Sequence, residues 1–252
     1  MKNRKDKTKI KTFPVPSGLN SNQINTVNTN PSSKPSKEEV INKAFKLHSE
    51  GDIKKAAIYY QYCIKEGFID HRVFINYGSI LKDLGNLEEA EILTRKAIEI
   101  KPDFGGYYFN LGNILNDLGK LQDAELSIRK AINIKPIFPA AYLNLANILK
   151  ELNKLKEAEI FIRKAIEIKP DYAEAHAHLG MILNGLGKLK DAEFSYRKAI
   201  EIKPDYAEAY SNLGNILRDL SKLQDAELSY RKAIEIKPDF AEAYFNLGII
   251  LS

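Results

Sequence analysis

The stretch PDYAEAHAHLGMILNGLGKLKDAEFSYRKAIEIK, from Pro170 to Lys203, is followed at once by PDYAEAYSNLGNILRDLSKLQDAELSYRKAIEIK, from Pro204 to Lys237. Two near-copies in tandem decide the fold class. Self-similarity at 34 residues is the mark of a solenoid, in which a unit buries its apolar face only by stacking on its neighbours. Working outward, Pro102, Pro136, Pro170, Pro204 and Pro238 keep the period, as do Ala56, Ala90, Ala124, Ala158, Ala192 and Ala226. The frame gives a leading segment, 1–36, and a repeat region, 37–252. The repeat region divides into units 37–70, 71–104, 105–138, 139–172, 173–206 and 207–240, with a partial unit over 241–252. The first unit is the most diverged, with Phe68 where the others carry proline.

Within a unit the apolar residues follow the helical period. Tyr108, Leu111, Gly112 and Leu115 fall at i, i+3, i+4 and i+7, one stripe of one helix, and Leu121, Ala124, Ile128 and Ala131 form a second stripe after Gly119. Each unit is therefore predicted to be a helical hairpin and the chain to be all-α. Gly51, Gly85, Gly119 and Gly187 sit between the stripes, with Asn153 and Ser221 in the same column. Asp171, Asp205 and Asp239 precede Glu174, Glu208 and Glu242 by three residues, which predicts a capping box at the start of the first helix. Steps such as Lys169-Pro170 predict the end of the second helix, since a residue before proline is pushed out of the α region and lysine complements the helix dipole. Gly78, Gly112, Ala146, Gly180, Gly214 and Gly248 mark where the first helix is approached closely, because glycine costs a helix about 1 kcal/mol relative to alanine.

At these residues the chain resembles the tetratricopeptide repeat family. Tyr210, Leu213, Gly214 and Leu217 match the first-helix signature of that family, and Ala226, Tyr230, Ala233 and Pro238 match the second. His176 departs from the first-helix aromatic, and Thr94, Ile128 and Ile162 depart from the second-helix aromatic, each expected to loosen one interface. The resemblance spans residues 37–252 and implies a right-handed superhelical solenoid acting as a protein-interaction scaffold.

Charge is concentrated at the front. Residues 1–37 hold eight lysines and arginines against Asp6 alone, a net of +7 in a chain of net +5, which leaves −2 for the remainder. Rich in Asn, Ser, Thr, Pro and Lys without apolar periodicity, this tail is expected to be disordered. Nucleic acid or an anionic surface is expected as a partner only through the tail lysines and Arg4. No apolar run reaches the length of a membrane span. The lone Cys63 stands in a column of alanines as a small buried filler, which fits a reducing, cytoplasmic location.

No catalytic constellation, metal ligand set or cofactor motif emerges, and the reading is against an enzyme. His176 and His178 are two residues apart and diverge around a helix, while Glu125-Arg129, Glu159-Arg163, Glu193-Arg197 and Glu227-Arg231 have the i,i+4 spacing of a solvated face. Asparagine recurs instead: Asn42, Asn76, Asn110, Asn144, Asn212 and Asn246 opposite the packing stripe, interrupted by His178, with Asn113, Asn147 and Asn215 one turn later. Asparagine is a mediocre helix former, so another role is implied. The column is most similar to that of the O-linked N-acetylglucosamine transferase repeats, where a ladder of asparagines contacts the backbone of an extended polypeptide. That resemblance implies a peptide-binding groove lined by these asparagines and by Phe109, Leu143 and Phe245. A chaperone-type dicarboxylate clamp is not expected, because Arg72, Lys82, Lys150 and Arg218 are scattered. The alternative is a substrate-presenting arm of a truncated glycosyltransferase or other transferase. Weak homo-association is expected through the C-terminal end, where Tyr244, Leu247, Gly248 and Leu251 lack a second helix to cover them.

Overall fold

The computed structural model describes residues 35–251. Thirteen α-helices and no strands occur among them. The basic tail lies outside the described residues, apart from Pro35, Ser36 and Lys37.

Two compact units divide at Pro102–Asp103. The first contains α1 (Lys37–Ser49), α2 (Ile53–Lys65), α3 (His71–Asp83) and α4 (Leu87–Ile100). The second contains α5 (Gly105–Asp117), α6 (Leu121–Ile134), α7 (Pro139–Glu151), α8 (Leu155–Ile168), α9 (Ala173–Gly185), α10 (Leu189–Ile202), α11 (Ala207–Asp219), α12 (Leu223–Ile236) and α13 (Ala241–Leu251). Odd and even helices pair as antiparallel hairpins, and within a unit the second helix of each hairpin packs against the first helix of the next.

The turn between the two helices of a hairpin requires a left-handed residue. Gly119 and Gly187 take φ of +71° and +72° there, and Asn153 and Ser221 take φ of 60° in the same place. Asparagine tolerates this region through local hydrogen bonding, whereas serine carries the full steric cost of a Cβ.

The predicted capping boxes at Asp171 and Asp205 do not form. The N-cap residues are Tyr172 and Tyr206, without a side-chain cap bond. Each aspartate stands one residue too early, and the aromatic that occupies the cap lies beside the lysine ending the preceding helix. Lys169 Nζ lies 4.7 Å from the Tyr172 ring centre, Lys203 Nζ lies 4.8 Å from Tyr206, and Lys135 with Phe138 and Lys237 with Phe240 repeat the pairing. The true capping box is at α1. There Ser36 accepts from the Glu39 amide and the Glu39 carboxylate accepts from the Ser36 amide, so Ser36 belongs to the helix rather than to the tail.

The glycine column is a set of notches for the residue sixteen positions later. A Cβ on Gly214 would meet the Tyr230 ring at 2.6 Å, one on Gly180 the Tyr196 ring at 2.8 Å, and one on Gly112 Ile128 Cδ1 at 2.5 Å. The second-helix side chain is thus the main intruder, with the backbone further off; Ala124 O lies 3.4 Å from the Gly112 position. Ile128 and Ile162 are fully buried, so replacing the aromatic leaves those interfaces filled. Thr94 is buried too, but its Oγ1 lacks a hydrogen-bond partner among the described residues.

Ion pairs join successive hairpins of the second unit. Glu125 binds Arg129 on its own helix at 2.9 Å and Lys154 of the next hairpin at 2.8 Å. Glu159 does the same with Arg163 and Lys188, and Glu193 with Arg197 and Lys222. Half-burial of these carboxyls pushes their pKa upward, but the lysine and arginine hydrogen bonds together outweigh it and the net displacement is downward.

Candidate peptide-binding face

The first helices α5, α7, α9, α11 and α13 neighbour one another in turn. Their register is one repeat less one helical turn. Asn144 Nδ2 donates to Asn113 Oδ1 at 2.7 Å, and Lys150 Nζ lies 3.1 Å from Met181 Sδ, both pairs 31 residues apart. This offset converts the sequence columns into diagonals across the face.

The asparagines occupy unequal environments. In the first unit Asn76 Nδ2 donates to Tyr60 Oη at 3.3 Å, and His48 Nδ1 shares the same hydroxyl at 3.1 Å. Tyr60 is fully buried, and that burial pushes its phenol pKa to about 12. Asn215 Oδ1 accepts from Tyr230 Oη at 2.7 Å. Asn113 and Asn144 hold each other, Asn110 and Asn212 are half-buried, and Asn246 is buried. Asn76, Asn113, Asn144 and Asn215 therefore already have partners in the fold. An amide keeps spare donors and acceptors after one bond, so these residues retain some capacity.

The neighbouring column differs from the expected lining. Leu143 is buried at 8% exposure, and Phe109 is half-buried with its ring centre 4.7 Å from that of Phe138. Phe109 thus packs against the N-cap residue of α7, the first helix of the hairpin that follows. Phe245, on α13, is 69% exposed.

One diagonal stands apart. Asn116 on α5, Asn147 on α7 and His178 on α9 succeed one another at 31 residues, the same offset that brings Asn113 to Asn144. Asn116 Oδ1, Asn147 Oδ1 and His178 Nδ1 are each buried with no hydrogen-bond partner among the described residues. A buried polar atom left unpaired costs about 1–3 kcal/mol. Burial pushes the His178 pKa down; Lys150 adds to the depression and Glu174 opposes it. Asn116 escapes a column reading, because it falls outside the asparagine columns; only the 31-residue offset exposes it. His176 turns away and lies 3.0 Å from Pro170 O through Nε2.

Among the described residues no cluster of His, Cys, Asp and Glu fit to hold a metal is present, and no helix is long and apolar enough to cross a membrane. Cys63 is buried, and burial pushes its thiol to about 11.

Models of the tetratricopeptide repeat match residues 71–104, 105–138 and 139–172, and a TPR repeat model matches residues 180–220 and 214–252. A comparison with curated proteins returns no match. Among solved structures the chain is similar to YrrB, described as a TPR protein with an unusual peptide-binding site. The identity is 25% and the TM-score 0.59, over 74% of this chain and 96% of that one. It is also similar to TTC0263, a thermophilic TPR protein of Thermus thermophilus, at 22% identity and TM-score 0.59, over 72% and 99% of the two chains. PilW, a type IV pilus biogenesis factor, is 19% identical with a TM-score of 0.73, over 87% of this chain and 100% of that one. At the two lower identities the likeness is one of fold.

Proposed function

The chain belongs to the tetratricopeptide repeat family, whose members act as protein-interaction scaffolds, and from that premise we propose that the first-helix face of the second unit captures an extended polypeptide by its main chain. The diagonal of Asn116, Asn147 and His178 carries this reading. Three half-buried side chains at one offset on three helices each hold a buried polar atom without a partner, a standing cost relieved when the side chains turn to meet a ligand offering hydrogen bonds at successive positions. An extended peptide offers such groups at a regular rise of roughly 3.3 Å per residue. Amides suit this task because each carries both a donor and an acceptor. The likeness of the asparagine column to the O-linked N-acetylglucosamine transferase repeats, and the peptide-binding description of YrrB, support the same reading.

The test uses a fluorescent peptide selected by the whole chain from a random-sequence array. Replacing Asn116, Asn147 and His178 together by alanine removes three bonds worth about 0.5–1.5 kcal/mol each, so affinity is expected to fall at least roughly tenfold. Helicity is expected to stay unchanged and stability not to fall, since the unpaired atoms disappear with the side chains. Unchanged affinity would overturn the reading.

A further inference from the structure

The joint between α10 and α12 repeats the joint between α6 and α8 with one decisive side chain changed. At the earlier joint Phe161 of α8 packs on two neighbours. The Arg129 guanidinium of α6 lies 4.9 Å from its ring centre, and the Tyr142 ring of α7 stacks beside it with centres 6.3 Å apart and planes at 25°. Two repeats further on, Arg129, Ile132, Tyr142, Leu145, Ile160 and Phe161 become Arg197, Ile200, Tyr210, Leu213, Leu228 and Ser229. Serine stands where the phenylalanine stood.

The six later residues, together with Glu201, line a cavity of about 370 Å³. That volume falls at the low end of the roughly 300–1,000 Å³ of ligand pockets. The intervening joint of α8 and α10 differs in kind. It also carries serine, as Ser195, but His176 takes the tyrosine position and turns to Pro170 O at 3.0 Å, so the stacking phenol is lost.

The polar groups of the cavity are already satisfied, and this decides the class of ligand. Ser229 Oγ donates to Asp225 O at 2.8 Å, and Glu201 is held by Lys198 at 2.6 Å. Arg197 donates through Nε and Nη2 to Glu193 at 3.3 and 2.9 Å, just as Arg129 Nε donates to Glu125 at 2.9 Å. Bonds in the guanidinium plane leave its face for a ring, which is how Arg129 meets Phe161. Ile200, Leu213 and Leu228 supply apolar walls, and Leu228, 66% exposed, lies where the cavity meets solvent. We propose that this cavity is a binding site for a phenylalanine ring of a partner polypeptide, packed on Arg197 and Tyr210 as Phe161 is packed on Arg129 and Tyr142. A polypeptide is the source because the filled copy of the site is filled by an amino-acid side chain, and the family to which the chain belongs acts on proteins. The site is independent of the asparagine face.

The probe is a capped Gly-Phe-Gly tripeptide, titrated with the full chain and read by broadening of its ring signals. Saturable binding is expected, with capped Gly-Leu-Gly at least roughly fivefold weaker because it forgoes both ring contacts. Ser229→Phe fills the cavity from within, and is expected to abolish binding and to raise the melting temperature. Arg197→Gln keeps the cavity and removes the cation, so affinity is expected to fall roughly two- to fivefold. Replacing Asn116, Asn147 and His178 by alanine is expected to leave this binding unchanged. A native chain that does not bind the probe would overturn the proposal, as would a leucine tripeptide that binds equally well. So would a Ser229→Phe chain that still binds or melts lower, and so would toluene binding where the tripeptide does not, which would make the cavity a small-molecule site.

Discussion

Asn113 and Asn144, 31 residues apart, share a hydrogen bond of 2.7 Å between their side-chain amides. The pair fixes the register of the first helices and shows that a ladder asparagine serves the fold before it serves any ligand. It also singles out the parallel diagonal, where the corresponding atoms have no such partner.

His178 makes the stability of the second unit depend on pH. Its folded pKa lies below the ordinary value of 6.5, because burial and Lys150 disfavour the imidazolium more than Glu174 favours it. The unfolded chain therefore takes the proton first, and the contribution is present above that value and lost as pH falls below it. His178→Asn is expected to flatten the pH 5 to 7 part of the stability profile, as read from urea midpoints.

The same substitution at two places in the glycine column is expected to act with opposite sign. Gly214→Leu drives a side chain into the Tyr230 ring and is expected to cost about 1–3 kcal/mol or more. Around Gly248 nothing lies within 4 Å of an added Cβ, so Gly248→Leu is expected to stabilise α13 by up to about 1 kcal/mol through helix propensity. Denaturant midpoints for the two variants give the comparison directly, with Leu213→Met as the volume-conserving control at under about 1.5 kcal/mol.

Ser221 and Asn153 offer a gain. Both hold φ of 60°, where four other hairpins carry glycine. A left-handed conformation costs an ordinary L-residue roughly 1–2 kcal/mol, partly offset in glycine by greater freedom in the unfolded chain. Ser221→Gly is expected to raise the melting temperature, and Asn153→Gly to raise it less.

Acid is expected to loosen the joints between hairpins. For Glu125, Glu159 and Glu193 the folded pKa lies below the ordinary 4.5, so the contribution is complete above that value and is lost as pH falls through the folded values. Thermal melts from pH 7 to pH 2.5 are expected to show that loss, and the triple change to glutamine is expected to shrink it while lowering stability at pH 7.

The hairpins, their boundaries and their turn residues were legible because the repeat writes them six times. The first helices begin at Lys37, His71, Gly105, Pro139, Ala173, Ala207 and Ala241, where the 34-residue frame begins its units. Capping was misjudged at Asp171, because the helix begins one residue later, at Tyr172, whose side chain makes no cap bond and lies beside Lys169, leaving no local polar pattern. The face was legible as columns but not as diagonals, since a period of 34 gives no hint of a contact at 31. For that reason Leu143 reads as lining when it is packing, and Asn116 passes unnoticed.

The lysine-to-glutamate staples have a mechanical meaning. Lys154, Lys188 and Lys222 are long, half-exposed side chains, each spanning one joint, whereas the two helices inside a hairpin are locked by notched, dry contacts such as Tyr230 in Gly214. Dissolved salt screens exposed charges and leaves apolar contacts untouched. Within the second unit the joints are thus expected to yield before the hairpins do: brine weakens the grip of one hairpin on the next while each hairpin stays packed.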